Sequence, residues 1–338
     1  MATWRPDVLG APFEQLTLAL GVDGLHGPLV ATLVRRLPEP APDPLLPDVD
    51  VLYVHGWSDY FFQTELADFW TGLGARFFAL DLRRYGRSLR PEQAPGFVES
   101  LDDYDADIAA ALDTIAADAP GPRRIVLLGH STGGLTLTLW AARHPGRCAA
   151  VVLNSPWLEL QVGRVGRRAV APLLGLRARN DPRQTGLSLD LGHYTQAQRV
   201  IGSLPPAHLP AEWRPERGFA PRLAWGSAIL DGHQRIARGQ VDLDCPVLVL
   251  LSTRSTSPFT WSAATTAADS VLTVEEIAYA ATRVGHYVTL ARVAHAVHDV
   301  FLSLPTPRAQ AYAVLRRWTL AHLGHSPTEE CRLTPTGC

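Results

Sequence analysis

A chain of 338 residues, 46% hydrophobic and 19% charged, carries ample apolar material for a globular core, and α/β folds regularly exceed about 200 residues as single domains. A net charge of −2 gives no electrostatic reason to expect nucleic acid or an anionic membrane surface as partner. The 12 histidines show no metal-ligand spacing, so no metal is expected. Cys148, Cys245, Cys331 and Cys338 read as reduced structural thiols, not a disulfide framework.

The N-terminal M-A-T-W-R-P-D-V-L-G lacks a basic stretch leading into an apolar core. No run approaches the roughly 18 apolar residues of a membrane span, so the expectation is a cytoplasmic protein. Residues 14–37 alternate on either side of a Gly-rich centre and read as an antiparallel hairpin at a sheet edge. After a Pro-rich surface connection at 38–47, Val49 to Val54 is a short apolar strand ending at His55-Gly56-Trp57. Tyr60 to Leu73 has helical spacing and stops at Gly74. Arg76 to Leu80 is the next strand, Leu101 to Ala117 a helix with an acidic start, and Ala149 to Leu153 another buried strand. Strands alternating with helices predict a mostly parallel sheet covered on both faces, an α/β architecture.

That rhythm breaks between Gln161 and Gln240, a stretch richer in Arg, Pro, Gly and Trp, which reads as an insertion over the sheet. It resumes at Pro246 to Leu251 and at Tyr287 to Val293. A helix from about Arg308 to Leu323 precedes a polar tail containing Pro327 and Pro335. The expected organisation is a core at 1–160 and 241–325, an inserted cap at 161–240, and a tail at 326–338.

Between the strand at Ile125–Leu128 and the following helix lies G-H-S-T-G, residues 129–133. In that context Ser131 occupies a sharp, strained turn that lifts its hydroxyl clear of the sheet. Gly129 and Gly133 flank it, with His130 between, because a Cβ there would crowd the turn and glycine tolerates unusual backbone angles. A serine hydroxyl needs a base, and the base an orienting acid. In this order of elements both follow the serine, acid first. His298 lies after the last strand and is favoured as base, with His295 the competitor. For the acid, the expected place just beyond Leu251 reads S-T-R-S-T-S-P-F-T-W and holds no carboxylate. Asp269 is the first one after it. Glu275 and Asp244 are alternatives, and Asp299 is too close to His298 to orient its ring. Two amides should face the developing oxyanion, those of Thr132 and of Trp57 after the His-Gly turn.

H-G-W (55–57), D-L-R-R-Y-G-R-S (81–88), G-H-S-T-G-G (129–134), D-S-V-L (269–272) and H-D-V-F (298–301) together resemble the α/β-hydrolases of the serine aminopeptidase, lysophospholipase and monoacylglycerol lipase type. The resemblance spans about Val49 to Leu304. It implies an α/β-hydrolase fold with a sheet of eight strands, a helical cap over the serine, and hydrolysis of esters without a cofactor. By match to its motifs Ser131 is the nucleophile, Asp269 the acid and His298 the base. The expected ligand is a small-molecule ester or acyl substrate with a medium or long acyl chain. Trp157, Leu158, Leu173, Leu174, Trp213, Phe219 and Trp225 are candidates to line its pocket, or to pack the cap onto the sheet. Arg164, Arg167 and Arg168 form a basic group that fits a phosphate site or a solvated helix face. The same site also suits an acyltransferase, thioesterase or lyase. A non-catalytic binding protein requires that no carboxylate reach His298.

Overall fold

In chain order the elements are β1 (Arg5–Pro6), β2 (Phe13–Asp23), β3 (Gly27–Arg36), β4 (Val49–Val54), α1 (Thr64–Gly72), β5 (Arg76–Asp81), α2 (Asp105–Ala117), β6 (Arg124–His130), α3 (Thr132–Arg143), β7 (Ala150–Asn154), α4 (Gly163–Asn180), α5 (His193–Ile201), α6 (Leu223–Ala237), β8 (Val247–Ser252), α7 (Val274–Ala281), β9 (Val288–Val293) and α8 (Pro305–Leu323). The structure, a computed structural model, describes residues 3–24, 27–37, 43–161, 163–186 and 190–324, without the side chains of 163–165, 168–170 and 173. The tail at 326–338, with Cys331 and Cys338, lies outside the described residues.

One sheet runs in the order β1-β2-β3-β5-β4-β6-β7-β8-β9. β1, β2, β3 and β5 pair antiparallel; from β5 onward every neighbour is parallel. Among the described residues the sheet therefore has nine strands, where the resemblance implies eight. The extra strand is β1, a two-residue edge at Arg5–Pro6 paired with Glu14 and Gln15, too short to carry any periodicity. Strands β4, β6, β7 and β8 are apolar almost throughout because helices cover both of their faces. Alternate residues serve the two layers. Leu52, Leu127, Val151 and Val249 join a core with Ile108, Leu112 and Leu135. Val51, Val126, Val152 and Leu248 pack with Trp70, Leu315 and Trp318 on the other face.

Helix α2 begins at Asp105, not Leu101, and two further helix boundaries differ from the spacing. Tyr60–Phe62 is not helical: the Phe61 amide donates to Asp81 Oδ1 at 2.9 Å and the Phe62 amide to Gln63 Oε1 at 3.0 Å. These side-chain acceptors take the amides before a helix can start, so α1 begins at Thr64. Helix α8 begins earlier than expected, at Pro305, a residue suited to a first turn that has no use for its N–H.

The N-terminal segment is tied to the sheet by ions. Arg87 donates to Asp7 from Nε (2.7 Å) and Nη2 (2.8 Å), and to Asp81 from Nη1 (2.8 Å). The side chains of all three residues are at most 2% exposed. Removing the cation would leave two buried carboxylates unpaired. Arg87→Ala is therefore expected to cost about 3–5 kcal/mol in urea unfolding, and a loss below about 1 kcal/mol would contradict the network's role.

Between β7 and β8 the described residues add α4, α5 and α6 and no strand of the sheet. Near the strand starts at the opposite end, Cys148 and Cys245 are free thiols with Sγ atoms 3.7 Å apart.

Candidate active site

Ser131 stands between the last residue of β6 and the first of α3 with φ +52° and ψ −116°. Such a backbone costs about 1–3 kcal/mol for a residue with a Cβ. It is held by its neighbours: the Ser131 amide donates to Asn154 O (3.0 Å), and Ser131 O accepts from the amides of Trp157 (3.0 Å) and Leu135 (3.2 Å). The strained angle thus falls on the serine itself, and the flanking glycines supply space. A Cβ on Gly129 would lie 2.6 Å from Gly134 Cα. One on Gly133 would lie 2.3 Å and 2.4 Å from the carbonyl oxygens of His55 and Val54. Gly134 is a third such position, facing Pro156.

His298 follows β9 in a buried turn. Its Nδ1 is 3.0 Å from Asp269 Oδ2. A carboxylate can only accept, so the ring donates from Nδ1, and in the neutral imidazole this leaves Nε2 as the acceptor. Asp269 is fully buried, and its Oδ1 accepts from the amides of Val271 and Leu272, both at 2.8 Å. The absence of a carboxylate right after β8 has a simple structural cause. The Asp269 amide donates to Arg254 O (3.0 Å) and the Thr256 amide to Asp269 O (2.8 Å), pinching the chain together. Residues 257–268 loop out, and in space Asp269 sits just beyond β8.

The competing residues lie elsewhere. His295 is exposed. Glu275 is 72% exposed and paired with Arg292. Asp244 accepts from the Gly146 amide at 2.8 Å, before its strand. Asp299 turns away from the His298 ring and accepts from Asn154 Nδ2 at 2.7 Å.

A second loop meets Ser131. The ideal Cβ position of Gly56 is 3.1 Å from Ser131 Cβ. His55 is buried; its Nε2 accepts from the Leu82 amide (3.1 Å), so its Nδ1–H donates to Gly56 O (2.8 Å). Burial lowers its pKa, which suits the neutral ring that this pattern requires. Gly56 C=O and Trp57 N–H belong to one planar peptide and point in opposite directions. Holding the carbonyl on one side aims the Trp57 amide to the other. Thr132 opens α3, where the first amides have no partner within the helix.

The helical insertion reaches this end of the sheet. Trp225 of α6 lies 3.8 Å, centroid to centroid, from the Trp57 ring and 6.0 Å from Trp157; Phe219 is edge-on to Trp57. Leu158 is buried in the same core and Leu174 half-buried. Trp213 packs instead against Tyr60, away from that group. The side chain of Leu173 lies outside the described residues. So do those of Arg164 and Arg168; Arg167 is buried against Glu159 (2.7 Å), which removes it from any phosphate site. The sequence analysis did not single out Asn154 or Tyr194. The signal for Asn154 was a polar residue ending an apolar strand. Tyr194 had none, since its contacts with Asp299 and with the His298 ring arise only from folding.

A family model described as "Serine aminopeptidase, S33" matches residues 47–301. Lysophospholipase L2 of Escherichia coli (strain K12) is 39% identical over 108 residues, 31% of this chain and 31% of that protein. A monoacylglycerol lipase of Mycolicibacterium smegmatis is 32% identical over 122 residues, 35% of this chain and 42% of that protein. The chain thus spans less than half the length of these relatives. The crystal structure of a soluble variant of monoglyceride lipase from Saccharomyces cerevisiae superposes with a TM-score of 0.64 over 91% of this chain and 95% of that one, at 14% identity, a likeness of fold.

Proposed function

The chain belongs to the α/β-hydrolase family described as serine aminopeptidase, S33, and on that premise we propose that it hydrolyses carboxylic esters through an acyl-enzyme on Ser131. The observation that carries the reading is the buried His298–Asp269 contact at 3.0 Å, at the same end of the sheet as a strained serine. A binding protein needs neither. In this mechanism Ser131 Oγ attacks the ester carbonyl while His298 Nε2 takes its proton. Asp269 keeps the Nδ1 proton in place and offsets the imidazolium charge. The Trp57 and Thr132 amides receive the oxyanion. His298 then protonates the leaving alkoxide, and water, activated the same way, releases the acid.

The relatives named for lysophospholipids and monoacylglycerols support lipid-like esters as the substrate class. Medium or long acyl chains are part of the same proposal, and the aromatic group of Trp57, Trp157, Phe219 and Trp225, packed together at this end of the sheet, is the apolar surface such a chain would meet. Peptides fit less well. The buried carboxylates Asp59 and Glu159 are paired with Arg214 (3.0 Å) and Arg167 (2.7 Å), and the oxygens of Asp299 accept from Asn154, Phe301 and Gln63, so none of the three is open to a substrate's ammonium group. No helix among the described residues is long and apolar enough to cross a membrane; a cytoplasmic location belongs to the same proposal.

A fluorophosphonate probe should label Ser131. Ser131→Ala should abolish labelling and reduce turnover of a p-nitrophenyl ester by at least about 10⁴-fold. Unlabelled, inactive wild-type protein with an intact fold would overturn the reading.

A further inference from the structure

Asn154 ends β7 and is fully buried. Its carbonyl oxygen accepts from the Ser131 amide (3.0 Å) and from His130 Nδ1 (3.1 Å), so its backbone holds the strand end under the serine. Its side chain reaches the turn that carries His298: Nδ2 donates to Asp299 Oδ1 (2.7 Å) and Oδ1 accepts from the Val300 amide (3.1 Å). Asp299 is 2% exposed. Its Oδ1 also accepts from the Phe301 amide (3.0 Å), and its Oδ2 from Gln63 Nε2 (3.4 Å). Its own amide donates to the Tyr194 hydroxyl of α5 (3.2 Å).

A carboxylate buried this deeply is costly unless its oxygens are bonded, and among the described residues Asp299 forms no ion pair. Packing alone gives no reason for it, since apolar side chains of similar volume fill such a space without that cost. What the polar pair adds is direction. Two hydrogen bonds from one amide fix both the distance and the rotation of the His298 turn relative to β7.

We propose that Asn154 and Asp299 are positioning residues of this site, clamping the turn that carries His298 to the strand end that carries Ser131. The inference rests on the ester-hydrolase reading above. Neither residue touches the reacting atoms. Their effect is to hold the gap between Oγ and the imidazole, where a displacement of about 1 Å costs on the order of 10²-fold in rate. Tyr194 makes the helical insertion a third support of the same turn.

The test separates the bond from the charge. Asn154→Asp replaces the Nδ2 donor with a second carboxylate oxygen opposite Asp299, and Asn154→Leu removes both side-chain bonds. Asp299→Asn keeps at Oδ1 an acceptor for Asn154 Nδ2 and the Phe301 amide and gives up only the charge and the longer Gln63 contact. Turnover of a p-nitrophenyl ester is measured per folded site, counted by fluorophosphonate labelling carried to completion, so that lost protein is not read as lost rate. Both Asn154 variants are expected to lose about 10- to 100-fold in kcat with KM within about twofold, and Asp299→Asn, the conservative variant, to lose less than about fivefold. If one Asn154 variant fails to fold, the other is compared with Asp299→Asn in the same way. Asn154 variants with unchanged kcat per labelled site, or an Asp299→Asn variant as slow as they are, overturn the clamp while leaving the hydrolase reading intact. An inert wild type overturns the hydrolase reading, and the clamp with it.

Discussion

Asp269→Asn should lower kcat for ester hydrolysis by about 10⁴-fold while leaving KM nearly unchanged. The size of the effect follows from how the carboxylate is bonded. Oδ1 is fixed by two backbone donors, the amides of Val271 and Leu272 at 2.8 Å each, and Oδ2 faces His298 Nδ1 at 3.0 Å. An asparagine has one acceptor oxygen, and the two amides claim it. Its NH₂ is then turned toward His298, which must answer with an unprotonated Nδ1. The ring proton moves to Nε2, the atom that has to accept from Ser131, so the base is blocked without any loss of packing. Substrate binding involves none of these atoms, which is why the loss should fall on kcat. Steady-state kinetics at neutral pH checks it, with thermal unfolding to show that the fold survives. A loss below about tenfold would mean that Asp269 does not set the tautomer, and the acid would have to be sought elsewhere.

The legibility of this site followed the range of the signal. Ser131 was readable because its reasons are local: an apolar strand, two glycines and a helix within some fifteen residues. His298 and Asp269 were readable as candidates because the order of elements along the chain restricts where a base and an acid can come from. The loop at 257–268 obscured the candidate acid, since the pinch that closes it depends on hydrogen bonds of Arg254 and Thr256 with Asp269 that no local pattern announces. Asn154 and Asp299 are 145 residues apart, and Tyr194 and Asp299 are 105 apart. Each is an ordinary polar residue until the sheet order places the ends of β7 and β9 at one edge. Nothing in composition or periodicity carries that information. The same holds for β1, two residues with no pattern of their own, and for Tyr60–Phe62, where buried acceptors override a helical spacing.

Gly133→Ala should produce the largest loss of stability among glycine substitutions near the serine, at least about 3 kcal/mol in urea unfolding. The added methyl would sit 2.3 Å from His55 O and 2.4 Å from Val54 O. Both are backbone atoms at the end of β4, and no rotamer change can move them. Gly134→Ala is the milder neighbour. Its nearest contact is Pro156 Cβ at 2.7 Å, and a cost of about 1–2 kcal/mol is expected as that ring shifts. Gly72, in the last turn of α1, has nothing within 4 Å and no left-handed φ, so Gly72→Ala should gain about 0.5–1 kcal/mol. The ranking separates space from backbone freedom, because none of the three glycines has a positive φ. Equal effects at Gly133 and Gly72 would show that the turn is looser than these distances require. Should Gly133→Ala fold at all, it should still be slow. The carbonyls it presses on lead directly into the Gly56–Trp57 peptide, whose orientation depends on the His55 hydrogen bond. Displacing that peptide turns the Trp57 amide away from where an oxyanion would form, so the same methyl that costs stability removes a donor from the reaction.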